Sequence, residues 1–173
     1  MKVLVSVASK HGATTEIAAA IATELSAAGH QPVVVHPEDV HELDGVGAVV
    51  LGSAVYAGHW LKPARQLAER LESQLTGQPV WLFSSGPLGD PPMPDGDALD
   101  VTAIESQTHA CEHRVFSGRL DRSTLGFGEK ALVRALRAPE GDFRDWDEIR
   151  RWAVSIAAQV SNIPVARTSR PEE

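Results

Sequence analysis

Apolar positions along the chain follow two alternating rhythms. Val3, Leu4, Val5 and Val7 form a short run in which almost every position is apolar or β-branched, as a parallel strand buried on both faces requires. Ile17, Ala18, Ile21, Ala22, Leu25 and Ala28 then recur at helical spacing, and Gly29 followed by Pro32 ends the helix. Residues 32–35 read as a second strand. After a polar link, residues 46–51 read as a third, closed by Gly52-Ser53. Leu61, Ala64, Ala68, Leu71 and Leu75 lie three and four apart, predicting one helix with Pro63 in its first turn and Gly77 as its stop. Residues 80–83 make a fourth strand ending at Ser84-Ser85-Gly86-Pro87, and 113–116 a fifth. Helices are expected over 97–109, 125–137 and 146–160, while the proline- and glycine-rich stretch 86–97 is expected to be irregular. This alternation predicts an α/β domain, a parallel sheet with covering helices, over 1–161, with 162–173 as a fraying, flexible tail.

Three of these strands end in loops rich in Ser and Gly, and in an open parallel sheet such strand ends share the edge where ligands bind. The first loop, Ser9-Lys10-His11-Gly12-Ala13-Thr14-Thr15, also opens a helix. Unpaired N–H groups and the positive end of the helix dipole gather there, which suits an anion and a phosphate above all. Ser9 and Thr14 add hydroxyl donors, Gly12 lets the backbone close round a phosphate, and Lys10 adds charge. Ser, Gly and Thr are equally ordinary turn and cap residues, so this loop alone leaves both readings open. The loop after the third strand, Gly52 to Trp60, has small residues that let a flat ring approach, with Tyr56 or Trp60 as stacking candidates. Packing of Trp60 against the next helix is the structural alternative.

Composition narrows the class. With 173 residues, 43% of them hydrophobic, the chain suits one full core rather than two. A net charge of -7 argues against nucleic acid or an anionic membrane as main partner. The single cysteine, Cys111, excludes an intrachain disulfide, fits a reducing cytosol and is expected as a small buried hydrophobe. No apolar run approaches a membrane span and the first residues lack a signal-peptide pattern, so a cytoplasmic protein without stable membrane insertion is expected.

Ser9 to Thr14, Gly52 to His59 and Ser84 to Gly89 together resemble the flavodoxin-like FMN-binding fold. Phe116-Ser117-Gly118-Arg119-Leu120 and Asp145-Trp146 are most similar to its branch of menaquinone-dependent protoporphyrinogen IX dehydrogenases. The resemblance spans about residues 2–160 and implies a three-layer sandwich whose five parallel strands run in the order 2-1-3-4-5. It implies FMN as cofactor, with Ser9, Lys10, His11, Gly12, Ala13 and Thr14 round its phosphate. Ser53, Ala54, Val55, Tyr56, Ala57 and Gly58 would lie on one side of the ring and Ser85, Gly86, Pro87, Leu88 and Gly89 on the other. A backbone carbonyl at Ala57-Gly58 is the candidate to turn toward flavin N5–H, and Asp90 the candidate acidic neighbour. A redox partner protein or a quinone is the implied acceptor, and a homodimer is left open.

The sequence also departs from the pattern. No aromatic residue lies between Ser84 and Asp100, and the segment from Asp90 to Arg122 exceeds a short connection, offering a substrate or quinone site. The absence of a broad basic face weakens the match to a membrane-docked enzyme acting on a carboxylated porphyrin. An electron carrier without its own substrate, a cofactor-free domain and a deazaflavin in place of FMN stay open. His109, Cys111 and His113 alternate as on one strand face, but with no second cluster they make a poor metal site, and no metal is expected. No Gly-x-Ser-x-Gly elbow or Gly-Lys-Ser/Thr is present, and no side chain stands out as a general acid or base, leaving the catalytic residues unassigned.

Overall fold

The computed structural model describes residues 1–89, 97–135 and 138–164. Its central sheet runs β2-β1-β3-β5-β6, formed by Gln31–Val35, Lys2–Ala8, Ala48–Tyr56, Val80–Ser85 and Glu112–Phe116, all parallel. This is the predicted order, the predicted fourth and fifth strands being β5 and β6. A two-residue strand, β4 (His59–Trp60), folds back antiparallel on the end of β3.

Period-two alternation divides β1 between two cores. Val3, Val5 and Val7 pack on one face with Ile17, Ile21 and Leu25 of α1 (Ala13–Ala27) and Ile149 and Ile156 of α6 (Trp146–Ser161). Leu4 and Ala8 pack on the other with Leu67 of α2 (Lys62–Arg70), Leu75 of α3 (Glu72–Leu75) and Ile104 of α4 (Val101–Thr108). Gly52 is required by this packing, because a Cβ there would come within 2.1 Å of the Phe83 ring on the neighbouring strand. Asp145 caps α6 as the sequence suggests, its carboxylate accepting from the N–H groups of Asp147 and Glu148.

Several boundaries differ from expectation. β3 does not close at Gly52-Ser53 but continues to Tyr56, since Ser53 and Ala54 stay in register with Ser84 and Ser85 of β5. The helix expected from Leu61 to Leu75 is interrupted at Leu71, whose backbone leaves helical geometry (φ -108, ψ 18) while its side chain stays buried. The 97–109 helix shortens to α4. Cys111 is exposed rather than buried, because it precedes β6 at the sheet edge. His109 ends α4 in a left-handed conformation, so of the His109-Cys111-His113 set only His113 stands on a strand.

Between β6 and α6 lies an insert, residues 117–145. It holds a small antiparallel pair, β7 (Arg119–Leu120) with β8 (Gly141–Asp142), and α5 (Phe127–Ala135). Among the described residues no helix is long and apolar enough to cross a membrane. Asp90 lies outside the described residues.

Candidate functional site

The link from β1 to β2, through α1, covers one face of the sheet and the link from β2 to β3 crosses the other, so a crevice forms at the carboxyl ends of β1 and β3. A cavity of about 360 Å³ sits there. Its first wall is Ser9, Lys10, His11, Ala13 and Thr14, its second Ala54, Val55, Tyr56 and Ala57, its third Ser85, Gly86 and Leu88. Three sequence-distant loops therefore meet at one place.

Gly12 caps α1 with φ +82, and a Cβ built on it meets nothing within 4 Å. The first backbone bond of the helix is Glu16 N–H to Gly12 O at 3.0 Å, so the N–H groups of Ala13, Thr14 and Thr15 precede the ladder. An open, donor-rich nest with Lys10 and His11 beside it fits a phosphate.

The remaining expected site residues do other work. The buried Ser53 hydroxyl donates to Ala54 O at 2.8 Å and accepts from Leu61 N–H at 2.9 Å, so its side chain braces the end of β3. Ala57 (φ +50) and Gly58 (φ +79) form the tight turn joining β3 to β4. The Gly58 carbonyl is engaged by Leu99 N–H at 2.7 Å, a local constraint on the carbonyl flip expected at this turn. Pro87 O accepts from Gly118 N–H at 2.7 Å, tying the third loop to the insert, and Gly89 turns with φ +89. None of Gly12, Ser53, Gly58, Pro87 and Gly89 lines the cavity.

Tyr56 does line it, with Lys10 Nζ 5.1 Å from its ring centroid and the His11 ring 6.4 Å away. Burial, and secondarily the Glu129 carboxylate, push its phenol up to about 12, keeping the hydroxyl protonated. Trp60 is instead buried in the core on the α2 side. Its indole N–H donates to Ser84 Oγ at 2.7 Å, and the same hydroxyl is hydrogen-bonded to His113 Nε2 at 2.9 Å.

The sequence did not reveal the fourth wall. Gly118, Arg119, Leu120, Asp121, Thr124, Leu125, Glu129, Val133 and Ala138 of the insert complete the cavity. Glu129 Oε1 accepts from Lys10 Nζ at 2.6 Å and from His11 Nε2 at 3.0 Å, while its Oε2 accepts from Gly126 N–H at 2.8 Å. These bonds, Lys10 first, hold its carboxyl down at about 2. Arg144, with a buried side chain, binds Asp142 through two nitrogens at 2.6 and 2.7 Å, Glu16 at 2.9 Å and Ala13 O at 3.0 Å, and lies over the Trp146 ring. It braces the first turn of α1 from below. Arg119 adds a second cation to Glu16 at 2.9 Å. The contacts of Arg119 and Arg144 with the first turn of α1 join residues more than 100 positions apart, so local sequence pattern does not show them.

A flavodoxin-domain profile matches residues 4–147. Among solved structures, the fold is similar to a flavodoxin from the domain Archaea, at 17% identity and TM-score 0.66, over 94% of this chain and 100% of that one. It is similar to oxidised flavodoxin 1 from Bacillus cereus, at 18% and 0.61, over 95% and 100%. It is also similar to part of rubredoxin oxygen:oxidoreductase from Desulfovibrio gigas, at 12% and 0.63, over 92% of this chain but 36% of that one. No curated protein matches the chain. By the match across most of its length, this chain belongs to the flavodoxin domain family, an FMN-binding electron-transfer fold.

Proposed function

We propose that the chain is an FMN-dependent oxidoreductase with its own small-molecule site, taking electrons from a porphyrinogen-like donor and passing them to a quinone or other acceptor. The observation that carries this reading is the fourth wall. Leu120, Leu125, Val133 and Ala138 line the cavity from an insert, whereas a pure carrier needs the ring edge open to a protein partner. An apolar wall excludes water and admits an apolar reactant. FMN, when bound, supplies the redox chemistry; the chain's residues supply binding and shielding. Ser9 to Thr14 would hold the phosphate through the N–H groups of the first α1 turn, the Thr14 hydroxyl, the Lys10 ammonium and the His11 ring. Ala54 to Ala57 and Ser85 to Leu88 would flank the ring, with Tyr56 presenting an aromatic face.

The second reading, a carrier without its own substrate, draws support from the net charge of -7, which suits docking to a basic protein surface. Anaerobic stopped-flow reduction of the FMN-loaded protein separates the two. Rapid reduction by a small-molecule donor alone is expected for the enzyme, and a strict need for a reductase protein would sink it.

The cofactor placement is tested by Gly12→Asp. The new carboxylate would stand in the same turn as the phosphate, and like-charge opposition of several kcal/mol predicts FMN binding weaker by at least about 100-fold. The fold should survive, since the space is open and positive φ costs an Asp about 1 kcal/mol. Full FMN binding by this variant, with an unchanged flavin spectrum, would put the cofactor elsewhere.

A further inference from the structure

The anion-binding turn already holds an anion from its own chain. Glu129 stands on α5, yet its carboxylate reaches Lys10 and His11, 119 and 118 positions earlier, bridging both with one oxygen. No described residue of α5 belongs to either core cluster; Phe127 is 94% exposed, and Val133, which lines the cavity, is only partly buried. Among the described side chains of α5, this carboxylate is what ties the helix to the turn.

We propose that Glu129 is an internal mimic of the cofactor phosphate, competing with it for Lys10 and His11, so that phosphate binding unfastens α5 and loosens the fourth wall of the cavity. The inference rests on the FMN reading of the turn. A phosphate brings more charge and more acceptor oxygens than one carboxylate, and the α1 N–H groups favour it further, so it wins the two donors. Other nearby carboxylates do not compete in the same way. Glu16 is held by Arg144 and Arg119, and Asp121 accepts from Ser123. Release of α5 would couple loading of the cofactor to access for a second molecule, because Val133 and Glu129 line the same cavity.

The test compares the whole chain with its Glu129→Gln variant, in which the amide oxygen can still accept from Gly126 N–H. Titration with FMN, read by flavin fluorescence, is expected to give binding about five-fold tighter in the variant, the effect of removing one exposed ion-pair competitor. Riboflavin, which lacks the phosphate, should bind both proteins alike. Hydrogen exchange across residues 127–135 of the unmodified chain should quicken when FMN is added. Unchanged or weaker FMN binding by the variant, or slower exchange in α5 on loading, would overturn the competition while leaving the cofactor reading intact. Failure of both proteins to bind FMN would overturn the two together.

Discussion

The wall that β1, β3 and β5 give the cavity and the wall that residues 118–138 give it are held by different forces. The first is backbone ladder and apolar burial: Val50, Leu51, Leu82 and Phe83 are wholly buried beneath it, and Ser53, Ser84 and Trp60 spend their polar atoms on one another's surroundings. The second contributes few side chains to the cores and is pinned by charge, through Glu129 to Lys10 and His11, and through Arg119 and Arg144 to Glu16. A cradle built the first way keeps its shape under most solution conditions. A cap built the second way can be moved by salt, by acid or by an arriving anion, which suits a site that must be both shaped and entered.

Arg144 is where the two walls are joined, and its removal should have the largest effect on stability. Arg144→Ala takes away a two-nitrogen contact to Asp142, the bonds to Glu16 and Ala13 O, and the stacking on Trp146. Because Asp142 and Glu16 stay partly solvated, no carboxylate is stranded in the core, and the loss should be about 2–3 kcal/mol rather than more. Urea denaturation measures it. A loss below about 0.5 kcal/mol, the range of an ordinary surface substitution, would mean the cap is not joined to the cradle through this residue.

The same contrast explains what the sequence could tell. Strand order, helix faces and the convergence of Ser9–Thr14 with the loops after β3 and β5 are all carried by local periodicity and by Ser and Gly at strand ends. The overrun of β3 to Tyr56 was hidden because Gly52-Ser53 looks like a turn, and pairing with β1, β4 and β5 keeps it extended. The fourth wall was hidden for a different reason. A hydrogen bond between His11 and Glu129, 118 residues apart, leaves no periodic trace in either segment. Of the segment expected to shape the site, 90–122, residues 118–121 line the cavity and 90–96 lie outside the described residues, while the rest of the fourth wall comes from further on, 124–138.

Ser84→Ala probes the cradle alone. It leaves the Trp60 indole N–H and His113 Nε2 without their partner in a buried setting, at about 1–2 kcal/mol by urea denaturation. Hydrogen exchange in α5 should be unaffected, and a change there would show that the walls are not independent. Salt probes the cap alone. At 1 M NaCl the Lys10–Glu129 pair, with Lys10 half exposed, is screened, and exchange in α5 should rise by up to about five-fold while β5 stays protected.

Acid should separate the two walls by pH, with the smallest shifts. Burial depresses the pKa of His113, against the opposing pull of the Asp97 and Glu105 carboxylates. A base favoured neutral in the fold gives stability that is complete above its unfolded value of about 6.5 and declines as pH falls toward its folded value, because the unfolded chain then binds more protons. Glu129, held at about 2 by Lys10, the Gly126 N–H and His11, gives stability that is complete above its ordinary value of 4.5 and lost only as pH falls toward 2. The cradle therefore begins to weaken just below pH 6.5 and the cap only below 4.5. Thermal unfolding of His113→Gln beside the unmodified chain isolates the first slope, which the variant should lack below pH 6.5. Glu129→Gln should flatten the second and keep the first, and loss of the upper slope in that variant would place His113 and the cap in one cooperative unit instead of two.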